Sequence, residues 1–265
     1  MGNRENQNRK QRFRLTRAKH RALQLLGEFF VLRTNDLAAL QKNRTATESD
    51  CRTARHTLYL LFQEGYVHRI PYLDLEQVTG GATYAYGLSD RGAKEYAGKT
   101  FDDYSRRTLD HELAISDFHI AVRRFCAEHA LELLWQQSGL KTKTIHPDAY
   151  FTITDPGKEG RNTNHFFLEI ERSKVGNVRD GQPSIIRKLI NYYAYYNSAP
   201  CRAEWGIATF RVIIQVANET RAANLLRTFG EEYRHRMFWI AAAGADLRFR
   251  TPCDFDERAY SFLDI

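Results

Sequence analysis

The sequence predicts a chain of mixed α+β/α/β class in two domains, an α+β domain over residues 16–100 and an α/β domain over residues 101–265. A basic tail, residues 1–15, precedes them and is too polar to pack. Three observations carry this reading. Lys and Arg outnumber Asp and Glu by 17 to 10 in residues 1–100 but stand at 22 to 22 in residues 101–265, so the whole net charge of +7 belongs to the first part. Three helix-period segments followed by two β-prone runs fill residues 16–88. After a polar, charged stretch at 98–108 the pattern becomes helix, several strands, helix, strand, helix, strand, the order of a layered α/β architecture.

In the first domain, Leu23, Leu26 and Phe30 recur at helical spacing over residues 16–30, and Thr34 offers the N-cap of a short helix carrying Leu37, Ala38 and Leu40. A polar loop ends at Ser49, a second cap, and a third helix is expected over residues 50–64, stopped by Gly65. Its apolar stripe is Cys51, Ala54, Leu58, Leu61 and Phe62. Arg52, Arg55, His56, Tyr59 and Gln63 fall on the other face, at offsets of 3, 4, 7 and 11. A helix that enters a major groove needs such a face to reach phosphates and base edges. Residues 66–71 and 83–88 read as two strands joined by a loop with Gly80 and Gly81, and Ser89 caps a closing helix.

These phrases, especially Leu61-Phe62-Gln63-Glu64-Gly65-Tyr66-Val67 and Tyr86-Gly87-Leu88-Ser89-Asp90-Arg91-Gly92, resemble a winged helix-turn-helix domain. The resemblance implies DNA binding by Arg52, Arg55, His56 and Tyr59. Arg12 and Arg14 of the tail add a sequence-independent attraction, since a block with eight Lys and Arg against Glu5 in the first 21 residues draws polyanions by counterion release.

Four stretches of the second domain carry chemistry. Residues 109–129 form a helix whose stripe runs through Ile115, Val122 and Cys126, and Glu112 lies in that stripe, where a carboxylate is costly without a cation. Pro147-Asp148-Ala149-Tyr150-Phe151 opens a strand. Residues 165–172 alternate: Phe166, Leu168 and Ile170 point one way and Phe167, Glu169 and Glu171 the other, placing two acids on a strand apolar enough to be central. The helix from Ser184 carries Ile185, Leu189, Tyr192 and Tyr196 as its stripe, with Lys188 in register between them. Packing is the expected role of Tyr192, Tyr193, Tyr195 and Tyr196.

A helix-borne Glu, a strand-opening Pro-Asp and a strand acid 21 residues later follow the chain order of the PD-(D/E)xK nucleases. More closely, residues 15–215 resemble the replication-relaxation family, on the winged-helix phrases, Leu109-Asp110-His111-Glu112-Leu113, the Pro147 and Phe167-Leu168-Glu169-Ile170-Glu171-Arg172 phrases, and Lys188-Leu189-Ile190-Asn191-Tyr192. The resemblance implies a winged helix ahead of a restriction-endonuclease-like (PD-(D/E)xK) α/β domain that nicks or relaxes plasmid or mobile-element DNA at an origin. The implied catalytic set is Asp148, Glu169, Glu171, Lys188 and Glu112, with Asp148, Glu169 and Glu112 holding Mg²⁺ or Mn²⁺. One departure stands out: Glu171 occupies the position of the motif lysine, and Lys188 of the following helix is placed to supply it, ahead of Lys174 in a polar loop. Mg²⁺ suits hard carboxylate oxygens and neutralises charge in phosphodiester hydrolysis. A non-catalytic DNA-binding replication factor or regulator with a degenerate nuclease fold is the alternative.

Other classes are excluded or disfavoured. There is no phosphate-cradling Gly-rich loop for an ATPase, and no His-x-His pair to accompany a nucleophilic tyrosine. Cys51, Cys126, Cys201 and Cys253 lack the spacing of a zinc site or disulfide framework. No apolar run approaches the roughly 18 residues of a membrane span and no secretory segment follows the start, so a cytoplasmic chain is expected. Double-stranded DNA, other replication or mobilisation proteins and a second copy of the chain are the candidate partners. Arg-rich stretches at 234–236 and 248–250 are candidates for lining a DNA channel.

Overall fold

The computed structural model describes residues 14–72, 83–96, 100, 106–137, 140, 142, 144–158, 162–172, 184–198, 203–228, 235–244, 247–253 and 259–264. The tail with Arg12, the Gly80-Gly81 loop, Lys174 and Arg234 lie outside these residues. The chain is mixed α and β with two sheets, and divides into two compact units, Met1–Ser116 and Asp117–Ile265.

The first unit contains α1 (Arg17–Phe29), β1 (Val31–Arg33), α2 (Thr34–Lys42), α3 (Glu48–Gln63), β2 (Val67–Tyr72), β3 (Thr83–Leu88) and α4 (Asp90–Tyr96). The strands form one antiparallel sheet in the order β1-β3-β2. Two caps differ from the sequence expectation. Thr34 is the first residue of α2 rather than its cap; Arg33 precedes it, its N–H donating to the Asp36 carboxylate at 3.1 Å. α3 begins at Glu48 because Thr47, not Ser49, caps it: the Thr47 hydroxyl accepts from Asp50 N–H while Asp50 accepts from Thr47 N–H at 3.0 Å. This reciprocal box outcompetes a serine two positions later. β1 was not foreseen, since three residues are too few for periodicity to register.

Gly65 ends α3 at φ +70° and is free to do so because it lacks a side chain. Ser89 caps α4 as expected, its hydroxyl accepting from Gly92 N–H at 3.2 Å and donating to Gly65 carbonyl at 2.6 Å. Val31, Ile70 and Ala85 of the sheet pack with Leu109 and Leu113 of α5 (Arg106–Glu128), and the division between the units falls within that helix.

The second unit is a five-stranded sheet of β4 (Glu132–Gln136), β5 (Ala149–Asp155), β6 (Asn162–Glu171), β7 (Arg211–Val216) and β8 (Phe238–Ala242), in that spatial order. β4, β5 and β6 run antiparallel, whereas β6, β7 and β8 are parallel. Parallel neighbours need crossovers, supplied by α6 (Ser184–Tyr196) and α7 (Glu219–Thr228). One sheet face, with Tyr150, Phe167, Val212, Ile214 and Val216, packs against Ile185, Leu189 and Tyr192 of α6 and Ala222 and Leu225 of α7. The other carries an aromatic stack in which Phe151, Phe166, Trp239, Phe249 and Phe262 meet at centroid distances of 4.9–6.2 Å.

Candidate active site

β6 is the middle strand, and residues 166–171 are all buried. The expected alternation holds: Phe166 faces the aromatic stack, and Phe167 and Glu169 face α6. Glu169 is 1% exposed and Glu171 9%. Asp148 lies one residue before β5 and continues its register, so that it stands opposite Glu169. Pro147 has no N–H to offer the ladder; at Asp148 the backbone N–H donates to the Leu168 carbonyl at 2.9 Å and the side-chain Oδ2 accepts from Ile170 N–H at 2.7 Å. The Pro-Asp phrase therefore fixes the carboxylate to the backbone of the strand that carries the other acid.

α6 closes the site from above. Lys188 Nζ pairs with Glu169 Oε2, and the hydroxyl of Tyr192, one turn later, donates to Glu169 Oε1 at 2.7 Å. The positions i and i+4 of one helix thus grip the two oxygens of one carboxylate. Tyr192 also packs on Phe167, the role foreseen for it, but its hydroxyl makes it a site residue that the sequence reading missed. The signal was its spacing of four from Lys188.

Electrostatics reflects an excess of acid. Burial and then the neighbouring Asp148 push the Glu169 carboxyl up to about 7, against the pull of Lys188 and Tyr192. For Lys188, partial burial is the largest single influence and lowers its pKa, yet Glu169, Asp148 and Glu171 together outweigh it and raise it. The two partners of the pair disagree, one favouring the neutral and the other the charged form. We place the ammonium firmly in its charged state, because three carboxylates act on it and it is partly exposed. The proton deficit then falls on the acids: three carboxylates face one ammonium, and Glu169, the deepest, carries the strain.

Asp148, Glu169 and Lys188 therefore meet at one place, and Glu171, two residues beyond Glu169 on the same strand face, acts on Lys188 through its charge. Glu112 is half-buried on α5, in the stretch of that helix that belongs to the first unit. Among the described residues no group of three or more His, Cys, Asp or Glu is disposed to hold a metal ion. Two adjacent hard-oxygen donors with surplus negative charge nevertheless fit Mg²⁺ or Mn²⁺, which take one or two carboxylates and retain water.

In the first unit, Arg55, His56 and Tyr59 are exposed on one face of α3. Arg52 shares that face and pairs with Glu48 at 3.3 Å. Arg14 is exposed, with its carbonyl accepting from Lys19 Nζ at 2.9 Å. Arg250 pairs with Glu219 at 3.0 Å.

A family model described as replication-relaxation matches residues 23–209. The chain belongs to the replication-relaxation family. The matched span runs from within α1 past α6, so this family member carries its α3 face and Asp148, Glu169, Glu171, Lys188 and Tyr192 all inside the region that defines the family. No curated protein and no solved structure matches the chain. Among the described residues no helix is long and apolar enough to cross a membrane.

Proposed function

We propose that this family member is a metal-dependent DNA endonuclease that nicks DNA during plasmid or mobile-element replication or mobilisation, guided to its site by a winged-helix first unit. The observation that carries the reading is the grip of Lys188 on Glu169 opposite Asp148, because it supplies the lysine that the strand motif lacks at Glu171. Helices α1 to α3 with a three-stranded antiparallel sheet support the winged-helix reading, and the open β6-α6-β7 layer with acids at strand ends supports the PD-(D/E)xK reading.

Asp148 and Glu169 would hold Mg²⁺ or Mn²⁺, which when bound neutralises charge on the attacked phosphoryl group and makes a water nucleophilic. The chain's own residues do the rest. Tyr192 and the Ile170 N–H fix the two carboxylates in place before any ligand arrives. Lys188, partly exposed, is the group positioned to orient the attacking water or offset charge on phosphate oxygens. Hydrolysis forms a bond from water oxygen to phosphorus and breaks one phosphorus–oxygen ester bond, leaving a nick.

A binding-only protein of the same fold is the second reading. One observation favours it: both oxygens of Glu169 are engaged by Lys188 and Tyr192, and no third acid joins a metal-binding group among the described residues. Supercoiled plasmid of the protein's own replicon separates the two. The nuclease reading expects conversion to open circle with Mg²⁺ or Mn²⁺, abolished by chelator and by Asp148→Ala or Glu169→Ala, severely slowed by Lys188→Ala, with DNA affinity retained. Calorimetric titration with Mn²⁺ adds a readout independent of cutting. Nicking that persists in the Asp148 and Glu169 variants would reject the mechanism, and retardation of DNA without nicking or Mn²⁺ binding would establish the binding-only reading.

A further inference from the structure

We propose that Arg69 and Arg55 form a phosphate-binding site in the first unit that grips the DNA backbone whatever the sequence; it rests on the DNA-binding reading above and names residues that reading had not used in this way. Arg69 lies on β2, opposite Tyr86 of β3. Its guanidinium carbon sits 4.7 Å from the ring centre of Phe62, at the end of α3, and 4.5 Å from that of Tyr84 on β3. Both rings contact the guanidinium without accepting a conventional hydrogen bond, which leaves its N–H donors to be satisfied by something else.

Among the described residues nothing satisfies them: neither Arg69 nor Arg55 has a carboxylate partner or a hydrogen-bond acceptor. The contrast within the same unit is plain, since Arg33 meets Asp36, Arg44 meets Asp50, Arg52 meets Glu48 and Arg91 meets Glu95. Arg55 is exposed on α3, the helix whose Phe62 meets Arg69, and both charges act on the buried phenol of Tyr86. Two cations of one unit without an acid partner leave positive charge uncompensated, and an arriving anion gains attraction from both. A planar fork already seated between two rings loses little entropy on binding, and it matches a phosphate oxygen pair. Arg69 is half-buried at the level of the sheet, which suits it to positioning the backbone rather than reading bases.

The test is fluorescence anisotropy of the full-length chain with duplex DNA at several salt concentrations, for the wild type, Arg69→Ala, Arg69→Lys and Arg55→Ala/Arg69→Ala. Losing one charge-assisted phosphate contact should weaken binding about tenfold on every duplex. It should also flatten the slope of log affinity against log salt by about 0.9 per arginine. Arg69→Lys keeps the charge but not the fork, so it should lose affinity while keeping most of the slope. Wild-type affinity and slope in folded Arg69 variants overturn the proposal; should Arg69→Ala fail to fold, Arg69→Gln, still planar but neutral, decides the question in the same assay. Competition by millimolar inorganic phosphate without any change in DNA slope among the variants marks a free-anion site and also overturns it. A wild type that binds no duplex at all overturns the DNA-binding reading itself, which none of the variant outcomes does.

Discussion

Replacing Glu169 by Gln should make the stability of the second unit, relative to wild type, rise with pH. Below pH 4.5 the carboxyl is protonated in folded and unfolded chain alike. Between 4.5 and about 7, the folded-state value, the unfolded chain releases a proton that the folded chain retains, so stability falls as pH rises. At about 1.4 kcal/mol per pH unit, the accumulated loss above pH 7 is about 3 kcal/mol, with the attraction of Lys188 already included in the folded-state value. The amide introduced by Glu169→Gln does not titrate and is spared this loss, whereas any penalty from its facing Lys188 or Tyr192 is the same at every pH. The stability of Glu169→Gln relative to wild type should therefore rise by about 2 to 3 kcal/mol between pH 5 and pH 8. Urea unfolding followed by tryptophan fluorescence reads the right unit, because Trp135, Trp205 and Trp239 all lie in it. A difference that is independent of pH would refute the claim that surplus acid strains this site.

Three further outcomes are expected. Tyr192→Phe removes the donor at Glu169 Oε1, so Glu169 should titrate higher still and the fall in stability should extend to more alkaline pH in the same urea series. His119, stacked on Trp135 at 4.0 Å, has its pKa lowered to about 3 by burial and then by Arg123. A folded value below the unfolded 6.5 means that stability is complete above pH 6.5 and is lost as pH falls toward 3, by about 2 kcal/mol at pH 5; His119→Phe should remove this acid limb, and an unchanged limb would refute it. Between pH 4.5 and 6.5 the Glu169 and His119 slopes have opposite signs, so the wild type should look nearly flat there and only the single variants reveal either. Gly92→Ala should destabilise the first unit by about 2 kcal/mol or more, read by circular dichroism melting, because its Cβ would lie 2.2 Å from the Tyr66 carbonyl oxygen.

The first unit was legible wherever a side-chain period or a cap is local. Leu23 and Leu26 define α1, and Ser89 does cap α4. Errors arose where two local solutions compete within a few residues: Thr47 with Asp50 wins over Ser49, because a reciprocal pair satisfies two backbone groups and a lone hydroxyl only one, and the Asp36 carboxylate, by accepting from the Arg33 N–H, starts α2 one residue before Thr34 could cap it. β1 could not be read at all, since Val31, Leu32 and Arg33 are a strand only by pairing with Gly87, Tyr86 and Ala85, more than fifty residues away.

The candidate site was legible for a different reason: its residues are anomalies against their own elements. Two acids on an apolar strand and a lysine inside an apolar helical stripe are each costly in isolation, and the cheapest resolution is for them to meet. Glu169 and Lys188 do so. Glu112 showed the same anomaly, but a half-buried position on a helix leaves a carboxylate several ways to be satisfied. Tyr192 escaped notice because a tyrosine in an apolar stripe is no anomaly; its ring satisfies the packing and conceals the hydroxyl's role. Arg69 escaped it for the complementary reason, since a single arginine on a strand near a loop looks solvated until the rings of Phe62 and Tyr84, apart from it in sequence, are seen to meet its guanidinium. Sequence therefore discloses charged groups that must find a partner, whereas groups already content in their packing become functional candidates only once the fold shows which polar atoms they leave over.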